Sequence, residues 1–251
     1  MLQKTCNINH SKQNCWLKKI NLARTTHKFE HLKVLIRKTE EMVRNRFLST
    51  EGSHDWHHID RVRNLALIMA EKEGGNANLI ELAVLLHDLE DYKLQADLAG
   101  GPTIGQWLEQ EGADKEMTQN IIRMINEVSF KGLGVETPCS SLESMILQDA
   151  DRLDAIGAIG VARTFAYGGK RGNPIFLPGE DPAEHTSFDS YKQHKGSTIH
   201  HFYEKLLHLK DRMNTQTGKQ IAIGRHQFME AFLAQFFHEW NFKKLDPADE
   251  E

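Results

Sequence analysis

Three short stretches of this sequence concentrate side chains that bind cations or move protons. In His54-Asp55-Trp56-His57-His58-Ile59-Asp60-Arg61-Val62 the imidazoles of His54 and His58 stand four residues apart, which puts them on one face of a helix and turns His57 about 100° away. In Leu85-Leu86-His87-Asp88-Leu89-Glu90-Asp91 an apolar run passes directly into a His-Asp doublet. The third stretch, Asp149-Ala150-Asp151-Arg152-Leu153-Asp154, is a cluster of acids. A charged carboxylate buried without a partner is costly, and a metal ion is the simplest partner for carboxylates and imidazoles brought together. Adjacent residues of a regular helix diverge, so His87 and Asp88 can reach one ion only near a helix end or where the ion sits between helices.

The elements that must position these groups read almost entirely as helix. Phe29, Leu32, Ile36, Val43 and Phe47 recur at three-, four- and seven-residue steps and form one apolar stripe. A second helix is predicted from Trp56 to Glu73, ended by Gly74-Gly75. A third, capped by Asn76 or Asn78, carries Leu79, Leu82, Ala83, Leu85 and Leu86 into His87 and is apolar on more than one face, hence central. After the break at Gly100-Gly101-Pro102, a short helix through Trp107 precedes a longer one with Ile121, Ile122, Ile125 and Val128. Ser140 with Glu143 reads as a capping box opening the helix of the acidic cluster. From Ala166 to about Lys195, Gly168, Gly169, Gly172, Pro174, Pro178, Gly179 and Pro182 predict a long loop. Two last helices are expected, Ser197 to Met213 and Lys219 to Trp240, separated by a turn ending at Gly218; the stripe Phe228, Phe232, Phe236 and Phe237 reads as core. No βαβ alternation and no glycine-rich phosphate loop is present. The expected fold is all-α: a single helical domain over 29–241, after an extension of residues 1–28 and before an acidic tail of residues 242–251.

The bulk composition narrows the classes of function. Charged residues make up 26% and hydrophobic ones 39% of 251 residues, a globular composition. No apolar run approaches the roughly 20 residues that span a bilayer. A net charge of −4 argues against a polymeric nucleic acid as partner, which calls for clustered excess Lys and Arg. Three sparse cysteines, Cys6, Cys15 and Cys139, fit a reducing, cytoplasmic setting. A homodimer stays open.

With His58 followed by Arg61-Val62, then Leu-Leu-His87-Asp88, then Ala-Asp151-Arg152-Leu153, the chain resembles the HD-domain metal-dependent phosphohydrolases. Their pattern is a His, a His-Asp doublet and a distant Asp. The resemblance implies His58, His87, Asp88 and Asp151 as metal ligands. The stretch His54-Asp55-Trp56, the run Asp91-Tyr92-Lys93 and the run Asp149 to Gly157 are similar to the bacterial subgroup that hydrolyses nucleoside triphosphates to monophosphate and pyrophosphate. A small nucleotide is then the expected partner. The alternatives within the superfamily are a nucleoside monophosphate phosphatase and a cyclic-nucleotide phosphodiesterase; outside catalysis stands a nucleotide sensor.

Two imidazoles and two carboxylates without thiolate suit Mn²⁺, favoured here, or Mg²⁺, Fe²⁺ or Ni²⁺. Such a set leaves room on a six-coordinate ion for a water and a phosphoryl oxygen side by side. Asp91, three residues after Asp88, is the expected base or water-positioning group, with Glu90 as its rival. His54 is expected to touch phosphate or the water, or else to orient Asp151 or His58. Arg61 and Lys93, and on the long loop Tyr167, Lys170, Arg171, Lys192 and Lys195, are the candidate substrate contacts, because phosphate oxygens seek Lys, Arg and polar donors; Arg61 is equally placed to pair with an acid of the third stretch. The loop, approached by Arg163 and carrying His194, reads as a lid.

Overall fold

Four short polar side chains start the helices that matter most for the site. Asp55 accepts from the backbone N–H of His58 at 2.9 Å, Asn76 from Leu79 at 3.2 Å, Thr103 from Gln106 at 3.2 Å and Ser141 from Ser144 at 3.1 Å. Each satisfies an amide that the helix itself leaves without a partner. The computed structural model describes residues 30–47, 55–90, 101–128, 135–183 and 196–241. In it α1 spans 30–47, α2 Trp56–Glu73, α3 Ala77–Leu86, α4 Ile104–Gln110, α5 Lys115–Val128, α6 Leu142–Asp154 and α7 Gly157–Arg171. A short α8, His200–Glu204, runs into a 3-10 segment, Leu206–Arg212, and α9 covers Gln216–Asn241. No strand occurs among the described residues. No helix of theirs is long and apolar enough to cross a membrane. Phe29, the ends of the chain at 1–28 and 242–251, and the sequence candidates His54, Asp91, Lys93, Lys192, His194 and Lys195 lie outside the described residues.

The centre of the molecule is α3. Leu82, Ala83, Val84, Leu85 and Leu86 are all 0% exposed, and burial of each leucine stabilises by about 1.5–3 kcal/mol. Helices α2, α5 and α6 pack around it, and α2 also packs along α6. The site-bearing helices are thus three mutual neighbours. Leu35, Val43 and Phe47 of α1 close the core on one side, fastened by Arg63 to Glu40 at 3.0 Å and by Trp107 Nε1 donating to Thr39 at 3.0 Å. On the other side α9 packs on α7, α6 and α2.

Several expectations are corrected. Ser141, not Ser140, caps α6, and Glu143 makes no box, because its Oε1 accepts from Asn76 N–H at 3.0 Å and so ties the start of α3 to α6. The loop expected from Ala166 begins only at Gly172, whose φ of 71° ends α7. Gly168 is helical, and a Cβ there would lie 2.3 Å from Thr198 Oγ1. Gly218 makes no turn either; it sits in the first turns of α9, where a Cβ would meet Asp149 Oδ2 at 2.5 Å. The helix expected from Ser197 to Met213 is broken into α8 and the 3-10 segment. Phe228 is 47% exposed rather than core, whereas Phe236 and Phe237 join Phe176 and Trp240 in an aromatic cluster.

Candidate metal centre

The cap that starts α2 also places its first ligand candidate. The Asp55 carboxylate holds the His58 amide, so the imidazole leaves the first turn of α2 directed at the core, where it is 0% exposed. His57, one residue earlier, faces solvent. Helix α3 ends at Leu86, and His87 to Glu90 continue as a tightened turn in which Leu89 N–H bonds to Leu86 O at 3.1 Å. That ending lets consecutive side chains point the same way. His87 Nδ1 donates to the Val84 carbonyl at 2.7 Å, which fixes the ring with Nε2 turned inward. Asp151 enters from the last turn of α6.

The four side chains converge. His58 Nε2 lies 3.4 Å from Asp88 Oδ2 and 3.5 Å from Asp151 Oδ1. His87 Nε2 lies 3.3 Å from Asp88 Oδ1 and 3.8 Å from Asp151 Oδ1. One donor atom each of His58, His87 and Asp88 falls within 4.8 Å of the others. Ligands about 2.0–2.2 Å from a shared ion stand roughly 3–3.5 Å apart, and these separations match that spacing. His87 Nε2 is buried without a hydrogen-bond partner, although carboxylate oxygens surround it, so the donor set fits a divalent cation among them. Asp151 keeps 30% of its side chain exposed against 6% for Asp88, so the cluster opens on the Asp151 side.

The electrostatics agree. Burial works against an imidazolium at His87, yet the carboxylates of Asp88 and Asp151 outweigh it and push the group up to about 10. Burial likewise opposes charge on Asp151, but His87 and then His58 hold its carboxyl below the usual carboxylate range. Burial and then Arg163 push His58 down. The pocket between α2, α3 and α6 therefore attracts positive charge, which a proton supplies at His87 when no metal does.

Residues 55–156 match the HD domain, from the cap of α2 to just beyond α6. The chain is 38% identical over 192 residues to YpgQ of Bacillus subtilis, an alignment covering 75% of this chain and 85% of that protein. The chain belongs to the HD superfamily of metal-dependent phosphohydrolases. Among solved structures, a Lactobacillus plantarum protein is similar with a TM-score of 0.75 and 34% identity over 84% of this chain and 98% of that one. An HD-superfamily hydrolase from Bacillus thuringiensis gives a TM-score of 0.62 and 37% identity over 84% and 100%. YpgQ in complex with ADP gives 0.66 and 32% over 83% and 96%.

Around the HD doublet, the structure assigns partners to several other sequence candidates. Arg61 is committed to Asp154, with Nε 2.8 Å from Oδ1 and Nη2 3.0 Å from Oδ2, leaving its side chain 36% exposed. Glu90 is exposed, and its Oε1 accepts from Ile104 N–H at 2.7 Å, fastening the start of α4. Tyr167, Lys170 and Arg171 ride on α7 rather than on a loop, with the Arg171 guanidinium 5.2 Å over the Tyr167 ring. The buried Asp154 was not singled out in the sequence. Its signal was the three-residue step from Asp151, which puts both on one face of α6. Its Oδ2 lies 2.8 Å from His58 Nδ1 and accepts from Arg163 Nη1 at 2.8 Å.

Proposed function

We propose that this HD domain hydrolyses nucleoside or deoxynucleoside triphosphates to the monophosphate and pyrophosphate, with a divalent ion, Mn²⁺ favoured, held by His58, His87, Asp88 and Asp151. The convergence of these two imidazoles and two carboxylates, three of them buried and Asp151 partly exposed, carries the reading. The ion supplies Lewis acidity toward a phosphoryl oxygen and lowers the pKa of an adjacent water.

The chain's own residues do the rest. Asp88 and Asp151 balance the charge of the ion, and the inward walls of α2 and α3 keep bulk water from its buried side. Asp91, three residues past Asp88, orients or deprotonates the attacking water; Glu90, tied to α4, is the weaker candidate for that task. His54 is assigned the task of donating to a phosphate oxygen or holding the water. Arg163, with its side chain only 15% exposed beside Asp154, and Arg61, held by the same carboxylate, add positive charge on the His58 side of the site. Lys93, Tyr167, Lys170, Arg171, Lys192 and Lys195 supply further donors to the triphosphate. That YpgQ has been crystallised with ADP favours a nucleotide with a phosphate chain as ligand.

The test is product analysis. Metal-loaded protein is incubated with triphosphates, monophosphates and cyclic nucleotides and the products are separated. Monophosphate and pyrophosphate in equal amounts are expected. Orthophosphate from monophosphates alone would replace this reading with a nucleotidase, and tight binding without turnover under every metal would replace it with a sensor.

A further inference from the structure

An ionised carboxylate can only accept hydrogen bonds, and this decides the state of the ring that faces Asp154. Asp154 is 3% exposed. Its Oδ1 accepts from Arg61 Nε at 2.8 Å; its Oδ2 accepts from Arg61 Nη2 at 3.0 Å and Arg163 Nη1 at 2.8 Å. Two guanidiniums on one carboxylate keep it ionised and fix its plane, since the Arg61 fork grips both oxygens. His58 Nδ1 stands 2.8 Å from the same Oδ2. Two acceptors cannot approach that closely without a hydrogen between them, so the hydrogen resides on Nδ1.

We infer that Asp154, clamped by Arg61 and Arg163, is a positioning residue that holds His58 as its Nδ1–H tautomer and thereby turns the Nε2 lone pair toward Asp88 and Asp151. Asp154 is not among the four candidate ligands and faces the other ring nitrogen of His58. It acts through the ring, as carboxylates behind metal-binding histidines do. The two arginines give the arrangement a further property: the negative charge of Asp154 is compensated where it stands behind the ring.

The inference rests on the reading of His58 as a ligand, and its first test needs neither metal nor substrate. In metal-free protein labelled with ¹⁵N-histidine at pH 8, long-range ¹H–¹⁵N correlation assigns the protonated nitrogen of each ring, with His58 identified by the loss of its signals in His58→Gln. Nδ1 is expected to carry the hydrogen; a ring protonated at Nε2, alone or together with Nδ1, overturns the proposal. The second test is Mn²⁺ affinity by titration calorimetry. Asp154→Ala is expected to weaken Mn²⁺ binding about 10–100-fold and to release His58 to a mixture of tautomers. Asp154→Asn, whose amide oxygen still accepts from Nδ1–H, is expected to restore most of the affinity. Unchanged affinity and unchanged tautomer in Asp154→Ala overturn the proposal, and if that variant does not fold, the wild-type spectrum and Asp154→Asn decide. Absence of pyrophosphate production would remove the substrate reading while leaving both measurements standing. Nε2–H on His58 in an enzyme that makes pyrophosphate would remove the positioning role alone.

Discussion

Helix α6 carries two aspartates two residues apart, on opposite sides, in opposite surroundings. Asp149 is 0% exposed and saturated by donors. Its oxygens accept from Asn214 N–H at 2.9 Å, Asn214 Nδ2 at 2.8 Å, Thr215 N–H at 2.8 Å and the Thr215 hydroxyl at 2.8 Å. Asp151 instead faces two imidazoles and another carboxylate. The first environment is complete without any ion, since backbone amides and a hydroxyl stabilise the charge and α9 is anchored in return. The second gathers carboxylates and imidazoles whose charge a metal ion, or in its absence a proton on His87, balances. One residue type therefore builds the scaffold on one face of α6 and lines the candidate metal centre on the other.

The contrast is broken most severely at Asp149. Asp149→Ala leaves the buried amides of Asn214 and Thr215 without acceptors, at about 1–3 kcal/mol each, so urea unfolding should show a loss of about 3 kcal/mol or more. The folded fraction should still bind Mn²⁺. A loss under about 1 kcal/mol would mean that Asp149 does not anchor α9. Next in size, Mn²⁺ at about 100 times its Kd should stabilise the wild type by about 2.7 kcal/mol, seen as a higher Tm. In Asp151→Asn that increment should vanish, and the metal-free Tm should fall as well because the His87 imidazolium loses one of its two carboxylate partners.

Proton linkage sharpens the same comparison. His87 is raised from 6.5 to about 10 in the folded chain, so its contribution to metal-free stability is complete below about pH 6.5 and is lost as the pH climbs through about 10. Calorimetry at pH 8 in buffers of different ionisation enthalpy should report about one proton released per ion bound, and none from a His87→Gln variant. The smallest effects lie in α9. Gly218→Ala forces a Cβ against Asp149 Oδ2 at 2.5 Å and should cost about 1–3 kcal/mol. Gly224→Ala, with nothing within 4 Å of its Cβ, should gain up to about 1 kcal/mol. Thermal unfolding of the pair separates a glycine kept for space from one that is not.

Those glycines also explain what could be read from the sequence. The apolar run into His87-Asp88 announced both a central helix and a doublet at its end, because hydrophobic periodicity and the cost of burying charge act locally. Gly74, with a φ of 92°, ended its helix as expected. Gly168 and Gly218 misled because their value lies in a missing Cβ beside Thr198 and Asp149, and those neighbours are remote in sequence. Asp154 was passed over for a related reason. Which of three acids in a short run reach His58, and at which ring nitrogen, depends on the rotation of α6 against α2, set by packing along both helices. Arg61 was read as a substrate contact or the partner of an acid; the structure supplies that partner, Asp154.

The partial exposure of Asp151, 30% where His58 has 0%, bears on the kinetics of exchange. With three of the four side chains walled in, an ion and a nucleotide would pass through the same doorway, one behind the other. A nucleotide seated there would act as a stopper, so a chelator should strip the ion more slowly from the occupied enzyme than from the vacant one.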